Sequence, residues 1–335
     1  MKFGATPTTD AKGAFLAHSV ALPKGRLRKG VLLEDHHIAD LLGAGINRIT
    51  VARLAATDVD ENTAAAQLAQ ALLSDAPDLD GNLDRHLEMT NAFTGRVNLL
   101  AKGPGVAVLD VPALEAANAV HPMITLATVP PFQQMADGGM VATIKIISYG
   151  VDQADLTRAC AAARGAIRLA PPKLQDATLI ITEIEGGAGD KGREAIANRL
   201  VALNVALKNV VMVPHQTDAL RAAITAADTE LVLILTGSAT SDIDDVAPSA
   251  LRAAGGKVAR FGMPVDPGNL LFLGNLGDRQ VIGLPGCARS PALNGADWVL
   301  SRIVCGIAVT DRDIAGMGVG GLLKEIVTRP QPRRG

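Results

Sequence analysis

The chain has 335 residues, enough for two domains of ordinary size with a substantial core in each. Hydrophobic residues make up 48% of it and aromatics only 2%, so the cores must be built from Ala, Val, Leu and Ile, a composition suited to helices packed on a sheet. With a formal net charge of −2 and no basic block beyond residues 24–29 and Arg333-Arg334, nucleic acid is excluded as an expected partner.

In chain order, residues 1–30 are expected to be extended and rich in turns. Leu32–Gly43 then reads as a short helix ended by Gly43, and Ile46–Leu54 as a strand of alternating branched residues. A second helix is expected over Asp60–Leu73, with Asp60 and Glu61 at its positive end. Asp75–Asp84 resembles half a calcium loop but lacks the closing bidentate Glu, and is read as a solvated acidic turn. Val97–Ala101, Gly105–Leu109 and Met140–Ile147 have strand character, punctuated by Pro130-Pro131 and Gly138-Gly139, and Asp152–Ala166 reads as a helix. Ala170-Pro171-Pro172 is the expected linker, dividing a strand-rich α+β region (1–170) from a second domain (171–335).

Beyond it the rhythm becomes regular. Strands are expected at Ala177–Ile184, Val210–Val213, Leu231–Leu235, Lys257–Phe261, Leu270–Leu273 and Gln280–Leu284. Helices are expected at Gly192–Leu203, Thr217–Ala227 and Pro248–Ala254, with a last one opening at Ser290-Pro291 and running to Cys305. Such alternation predicts a three-layer α/β/α domain on a mainly parallel sheet, with ligands bound at the carboxyl ends of its strands.

Three loops fall at those ends, and they are expected to converge. The first, Glu185–Gly192, contains G-x-G-x-x-G at Gly187, Gly189 and Gly192. The dinucleotide fingerprint also requires an acidic residue about 20 residues on, where this chain has Val213-Pro214-His215, so these glycines are read only as permitting close backbone approach to a ligand. The second loop follows the apolar run Leu231–Leu235. There Gly237 lets a ligand approach the backbone, Ser238, Thr240 and Ser241 supply hydroxyls, and Asp242, Asp244 and Asp245 form a carboxylate cluster suited to Mg²⁺ beside a phosphate. The plainer alternative is a strand-to-helix turn with Asp244 or Asp245 as N-cap. In the third, Gly283–Ser290, Arg289 is placed to pair with phosphate. Cys287 is either a thiol activated by the following helix or a small buried residue.

Cys160, Cys287 and Cys305 are widely spaced and fit no metal pattern, which points to a reducing compartment. The N-terminus has no apolar targeting segment, and no apolar run approaches the roughly 20 residues that span a bilayer. A soluble, cytoplasmic protein with no membrane partner is expected.

Thr236-Gly237-Ser238-Ala239-Thr240-Ser241-Asp242-Ile243-Asp244-Asp245-Val246-Ala247-Pro248, then Pro267-Gly268-Asn269-Leu270-Leu271-Phe272, then Gly283-Leu284-Pro285-Gly286-Cys287-Ala288-Arg289-Ser290 resemble the successive signatures of the molybdopterin-binding domain. That domain is shared by molybdopterin adenylyltransferases and molybdopterin molybdenumtransferases. The resemblance covers about residues 175–310, and residues 21–54 resemble the segment that precedes the domain in the molybdenumtransferases. The sequence is similar above all to the molybdopterin-binding half of bacterial fusions with a molybdenum cofactor cytidylyltransferase.

The resemblance implies that Asp245 is the functional aspartate, that Gly237, Ser238 and Thr240, with Asp242 beside them, form the turn contacting pterin and phosphate, and that Gly268, Gly286 and Ser290 belong to the other two loops. It departs from the family where Ser238 replaces a glycine, where Asp266 and Asn269 stand in place of Arg and Lys, and where Cys287-Ala288 replaces Asn-Pro. The acidic motif of the molybdenumtransferase N-terminal region has no counterpart. The implied ligand is molybdopterin or a nucleotide derivative of it, with Mg²⁺ and molybdate as further participants if adenylyl or molybdenum transfer occurs. The alternative is a non-catalytic carrier that presents the cofactor to a nucleotidyltransferase or a molybdoenzyme. A homo-oligomer is expected from the same resemblance.

Overall fold

The computed structural model describes residues 1–74 and 86–323. The acidic turn at 75–84 and Arg333-Arg334 lie outside the described residues. The chain divides into two units. One comprises Met1–Lys102, Ala107–Pro131 and Asp137–Leu169, the other Gly103–Val106, Phe132–Ala136 and Ala170–Gly335.

In the first unit, β1 (Lys2–Pro7), β2 (Phe15–Leu16), a hairpin of β3 (Val20–Leu22) with β4 (Gly25–Leu27), and β5 (Arg48–Arg53) enclose a small core around Leu16, Leu33, Leu41, Ile49 and Val51. Strand β5 pairs antiparallel with both β1 and β2. Helix α1 spans Asp35–Gly43 and begins three residues later than expected. The backbone of Leu33 is already bonded to Gly13 and Ala14, and Glu34 N–H donates to Nδ1 of His37, so the helix can open only at Asp35.

Next come β6 (Asp58–Asp60) and α2 (Glu61–Leu73), which is capped by Asp60 Oδ1 accepting from Asn62 N and Thr63 N, each at 3.1 Å. An antiparallel sheet runs in the order β10-β12-β8-β7, from β7 (Leu87–Met89), β8 (Arg96–Ala101), β10 (Ile124–Thr128) and β12 (Met140–Ile146), with β9 (Gly105–Leu109) intervening in sequence. Between β9 and β10 lies a helix, α3 (Val111–Val120), in a stretch expected to hold strands. Asp110 Oδ1 accepts from Ala113 N and Pro112 sits in the first turn, both ordinary start signals. Within α3, Asn118 bonds both the N–H and the C=O of Leu126, at 2.8 and 3.0 Å, and so blocks the outer edge of β10. The unit closes with β13 (Gly150–Asp152), paired to β6, and α4 (Gln153–Ala162).

Two strands in the chain's first half, β9 at Gly105 and Val106 and β11 (Gln134–Met135), pair with each other inside the second unit. There Phe132, at a left-handed φ of 61°, lies 4.0 Å beneath the guanidinium of Arg302, whose buried Nε has no hydrogen-bond partner among the described residues. After β14 (Ile167–Ala170), the main sheet follows the order β16-β15-β17-β20-β19-β18, built from β15 (Asp176–Glu183), β16 (Ala206–Pro214), β17 (Leu231–Leu235), β18 (Lys257–Phe261), β19 (Phe272–Leu276) and β20 (Arg279–Leu284). The first four in that order are mutually parallel and β19 alone runs the other way. All five residues of β17 are buried, as expected of a central parallel strand covered on both faces.

Helices α6 (Thr217–Ala226) and α7 (Val246–Ala253) share one face, where Leu220, Ile224, Ala250 and Leu251 meet Ile180, Val232 and Ile234. Helices α5 (Arg193–Val201) and α8 (Gly295–Val304) are linked to each other by Arg199 and Asp297, Nε to Oδ1 at 2.5 Å. A short helix, α9 (Asp311–Gly316), follows. The parallel sheet and strand-rich first region are those expected, with several corrections of boundary: β16 begins at Ala206, four residues earlier than expected, and α4 ends at Ala162, four residues short. Helix α8 opens at Asn294 rather than Ser290-Pro291. The carbonyls of Ala288, Ser290 and Ala292 are bound by Arg199, and Asn294 and Asp297 form a reciprocal cap. Strand β19 begins at Phe272, two residues late.

Phe272 pairs with Gly283, and a Cβ at Gly283 would lie 1.9 Å from the Phe272 ring. The glycine in β20 is therefore a seat for the largest fully buried side chain of the core. Gly283→Ala is expected to lower unfolding free energy by roughly 2 kcal/mol or more, as overpacking does. Urea denaturation measures it, and unchanged stability would show that the ring has another place to go.

Candidate functional site

The positions of the helices fix where a ligand can enter. After β15 the chain turns to α5, after the neighbouring β17 it turns to α7, and these helices lie on opposite faces. A crevice thus opens between the two turns at the carboxyl edge of the sheet. The loop after β20, the next parallel strand, forms its other wall.

Arg289 joins all three loops. Its Nη1 donates to the carbonyls of Gly189 (3.3 Å) and Lys191 (2.5 Å), and its Nη2 to the carbonyl of Thr236 (2.9 Å). Gly192, at φ 102°, passes so close that a Cβ there would lie 2.7 Å from the Arg289 Cα. Partial burial holds the guanidinium below its usual range, and among the described residues it has no carboxylate partner. The expected convergence is present. The cation expected to pair with phosphate is itself bound to three backbone carbonyls.

The second loop is held from below. Thr182, 1% exposed at the end of β15, accepts the Gly237 N–H at Oγ1 (2.9 Å), and the same oxygen lies 2.8 Å from Nδ1 of His215. Gly237 has no room for a side chain, since a Cβ would meet the Thr182 carbonyl at 2.7 Å. Ser238 is exposed. Thr240 is buried, with its hydroxyl 3.3 Å from that of Thr236. Among the described residues the amides of Ser238, Ala239 and Thr240 have no protein acceptor.

The three aspartates do not form one cluster of ligands. Asp245 caps α7, with Oδ1 accepting from Val246 N (2.7 Å) and Oδ2 from Ser241 N (3.0 Å). Asp242 accepts from Asp244 N (2.8 Å), and Asp244 is paired with Arg252 at 2.7 Å. No group of three or more His, Cys, Asp or Glu is gathered to hold a metal among the described residues. Each carboxylate here has a local partner, so the donor set does not fit a resident Mg²⁺.

In the third loop a single turn of 3-10 helix spans Gly286–Arg289. Gly286 is exposed with open space beside it, and Ser290 Oγ accepts from Ala292 N at 3.2 Å. Cys287 precedes no helix N-terminus, because α8 starts further on. Gly268, at φ 141°, packs against Gly295 at the start of α8, its would-be Cβ 2.7 Å from the Gly295 nitrogen. Its structural role is thus to let the chain pass the first residue of α8. Sequence reading missed Thr182, His215 and Arg199. Threonine is an ordinary strand residue, histidine ended a strand without any motif, and the reach of Arg199 depends on a loop nearly 90 residues away.

Residues 177–304 match the model of a family described as a probable molybdopterin binding domain, and residues 5–53 match one described as a domain of unknown function. No curated protein matches. Among solved structures, the chain is similar to a molybdopterin biosynthesis moea protein from Pyrococcus horikosii at 12% identity, over 95% of this chain and 76% of that one, with a TM-score of 0.32. A CinA protein with unknown function from Thermoplasma acidophilum is similar at 17% identity, over 35% of this chain and 90% of its own, with a TM-score of 0.27. A molybdenum cofactor biosynthesis protein from Pyrococcus furiosus is similar at 12% identity, over 94% of this chain and 65% of its own, with a TM-score of 0.24.

A lysine at position 289 keeps the charge but has no planar fork to reach three carbonyls at once. Arg289→Lys is expected to leave the sheet folded while amide hydrogen exchange at 186–192 and 236–241 speeds up by about tenfold. Exchange rates equal to the wild type in both loops would mean that the loops hold themselves.

Proposed function

We propose, from the premise that residues 177–304 belong to the molybdopterin-binding domain family, that this domain binds molybdopterin or a nucleotide derivative of it and serves molybdenum cofactor biosynthesis as a carrier. The observation that carries the reading is the turn 238–240. Three consecutive amides without protein acceptors among the described residues lie in the loop whose Thr236 carbonyl is bonded to the half-buried Arg289 cation. Backbone donors and positive potential together suit an oxyanion such as the pterin's phosphate. Gly237, Ser238 and Gly286 leave the backbone open to a flat ring, while Thr240, Asp242 and Ser290 shape their loops from within. The partner receiving the cofactor would be a nucleotidyltransferase or a molybdoenzyme, and the setting cytoplasmic. Among the described residues no helix is long and apolar enough to cross a membrane.

A carrier is preferred to a transferase because Asp245, the residue the family resemblance assigns to chemistry, has both carboxylate oxygens bonded to backbone N–H groups. Adenylyl or molybdenum transfer is the second reading, favoured by the presence of that aspartate at all. Wild-type protein is expected to bind purified molybdopterin with a dissociation constant of about 1 μM or tighter, on the order of −8 kcal/mol. Asp245→Ala is expected to weaken binding by about tenfold through loosening of the 241–246 turn. ATP added with Mg²⁺ and molybdate should remain intact. Calorimetry and nucleotide chromatography measure these. Hydrolysis or adenylylation restricted to the wild type would establish the transferase, and no binding by the wild type under any condition would remove the pterin reading.

A further inference from the structure

His215 stands at the carboxyl end of β16, outside the three loops of the crevice. Its N–H donates to the carbonyl of Glu183 at 2.9 Å, continuing the ladder with β15 one residue past Pro214. Its backbone is therefore fixed. The ring is fixed as well, because Nδ1 lies 2.8 Å from Thr182 Oγ1. That hydroxyl already accepts the Gly237 N–H, and it has one proton to give. The oxygen has a second lone pair that Nδ1–H could use, but the buried Thr182 proton would then have no acceptor among the described residues; it is satisfied when Gly237 N–H donates to Thr182 Oγ1, the Thr182 hydroxyl donates to His215 Nδ1, and the proton of the neutral imidazole resides on Nε2.

A threonine buried to 1% exposure thus favours the Nε2–H tautomer of a half-buried imidazole and holds its ring in place. Nε2 has no protein partner among the described residues. A strand-end histidine serving only to cap the sheet would have no need of a hydroxyl that also holds the binding turn. The same oxygen ties the imidazole and the turn at Gly237 into one unit, so whatever is bound over that turn lies beside a donor of fixed orientation.

We propose that His215 is a binding residue of this site, its Nε2–H donating to an oxyanion of the ligand held over the Gly237 turn, with Thr182 as its positioning residue. The identification of that oxyanion with the molybdopterin phosphate rests on the proposed function; the donor geometry does not.

The test has two arms. In the first, molybdopterin is titrated into the wild type, His215→Leu, His215→Gln, Thr182→Ser and Thr182→Val. The expected result is a loss of about tenfold for His215→Leu, binding within about threefold of wild type for His215→Gln and Thr182→Ser, which keep the donor and the hydroxyl, and a loss for Thr182→Val. Wild-type affinity in His215→Leu overturns the proposal. If that variant or Thr182→Val fails to fold, the glutamine and serine variants decide: weakening by tenfold in both overturns the assigned roles.

In the second arm, nitrogen-15 NMR of the histidines in the intact chain is followed as inorganic phosphate is added. The His215 signals are identified by their loss in His215→Gln. Protonation at Nε2 in the neutral form and a shift of that nitrogen on addition of phosphate support the proposal, and a proton on Nδ1 or an unmoved Nε2 overturns it. A wild type that ignores molybdopterin but shows the phosphate shift would end the pterin reading and leave His215 as an oxyanion donor.

Discussion

One guanidinium surrounded by carbonyls determines the shape of the ligand-facing edge. The first loop is a series of turns with left-handed glycines at 186, 189 and 192, and Arg289 draws two of its carbonyls and one from the neighbouring turn into a single fork. Bonds from a charged donor are each stronger than neutral ones, roughly 1.5–3 kcal/mol where water is excluded. Because carbonyl dipoles and not carboxylates satisfy the fork, the net charge survives the contact. Arg199 repeats the device one layer back, binding the carbonyls of Ala195, Ala288, Ser290 and Ala292 as well as Asp297, with both side chains largely buried. The crevice walls are held by two arginines, Arg289 with no carboxylate partner among the described residues and Arg199 paired with Asp297, while the aspartates of the second loop accept from backbone N–H groups or pair with Arg252.

This arrangement separates two roles that a motif merges. Asp245 is where a family signature places a functional aspartate, and here it is the cap of α7 and the clasp of the 241–246 turn. A cap can be indispensable to binding without touching a ligand. The order of the loops along the chain is kept while the carboxylates are occupied with shape, which fits a domain that holds and presents a cofactor.

The parallel sheet was legible because Ala177–Ile184 and Leu231–Leu235 are short apolar runs of β-branched and leucine residues bounded by turn residues, shorter than an ordinary helix. The three loops were legible for the same reason, being what is left between such runs. Helix α3 was missed although Asp110, Pro112 and an alanine-rich stretch announce it, since the neighbouring strands coloured the reading of the whole segment. The start of α8 was misplaced because Ser290-Pro291 is a good opening in isolation. Only the folded chain reveals that Arg199 already holds those carbonyls. Thr182 and His215 carry no local signal at all. They become a pair through the register of β15 with β16, a property of two strands and not of either sequence.

The cation stacked on Phe132 has a consequence in time. Phe132 leaves the ribosome about 170 residues ahead of Arg302, and at roughly 5–20 residues per second the ring waits on the order of 10–30 s for its cover. Segments 103–106 and 132–136 are in the same position with respect to the rest of the second unit. A fragment begun at residue 170 would be born without them. The first half of the chain therefore carries Phe132 without its covering cation, and two short strands paired only with each other, through about half of its synthesis, a window in which a chaperone that reads exposed apolar side chains has something to hold.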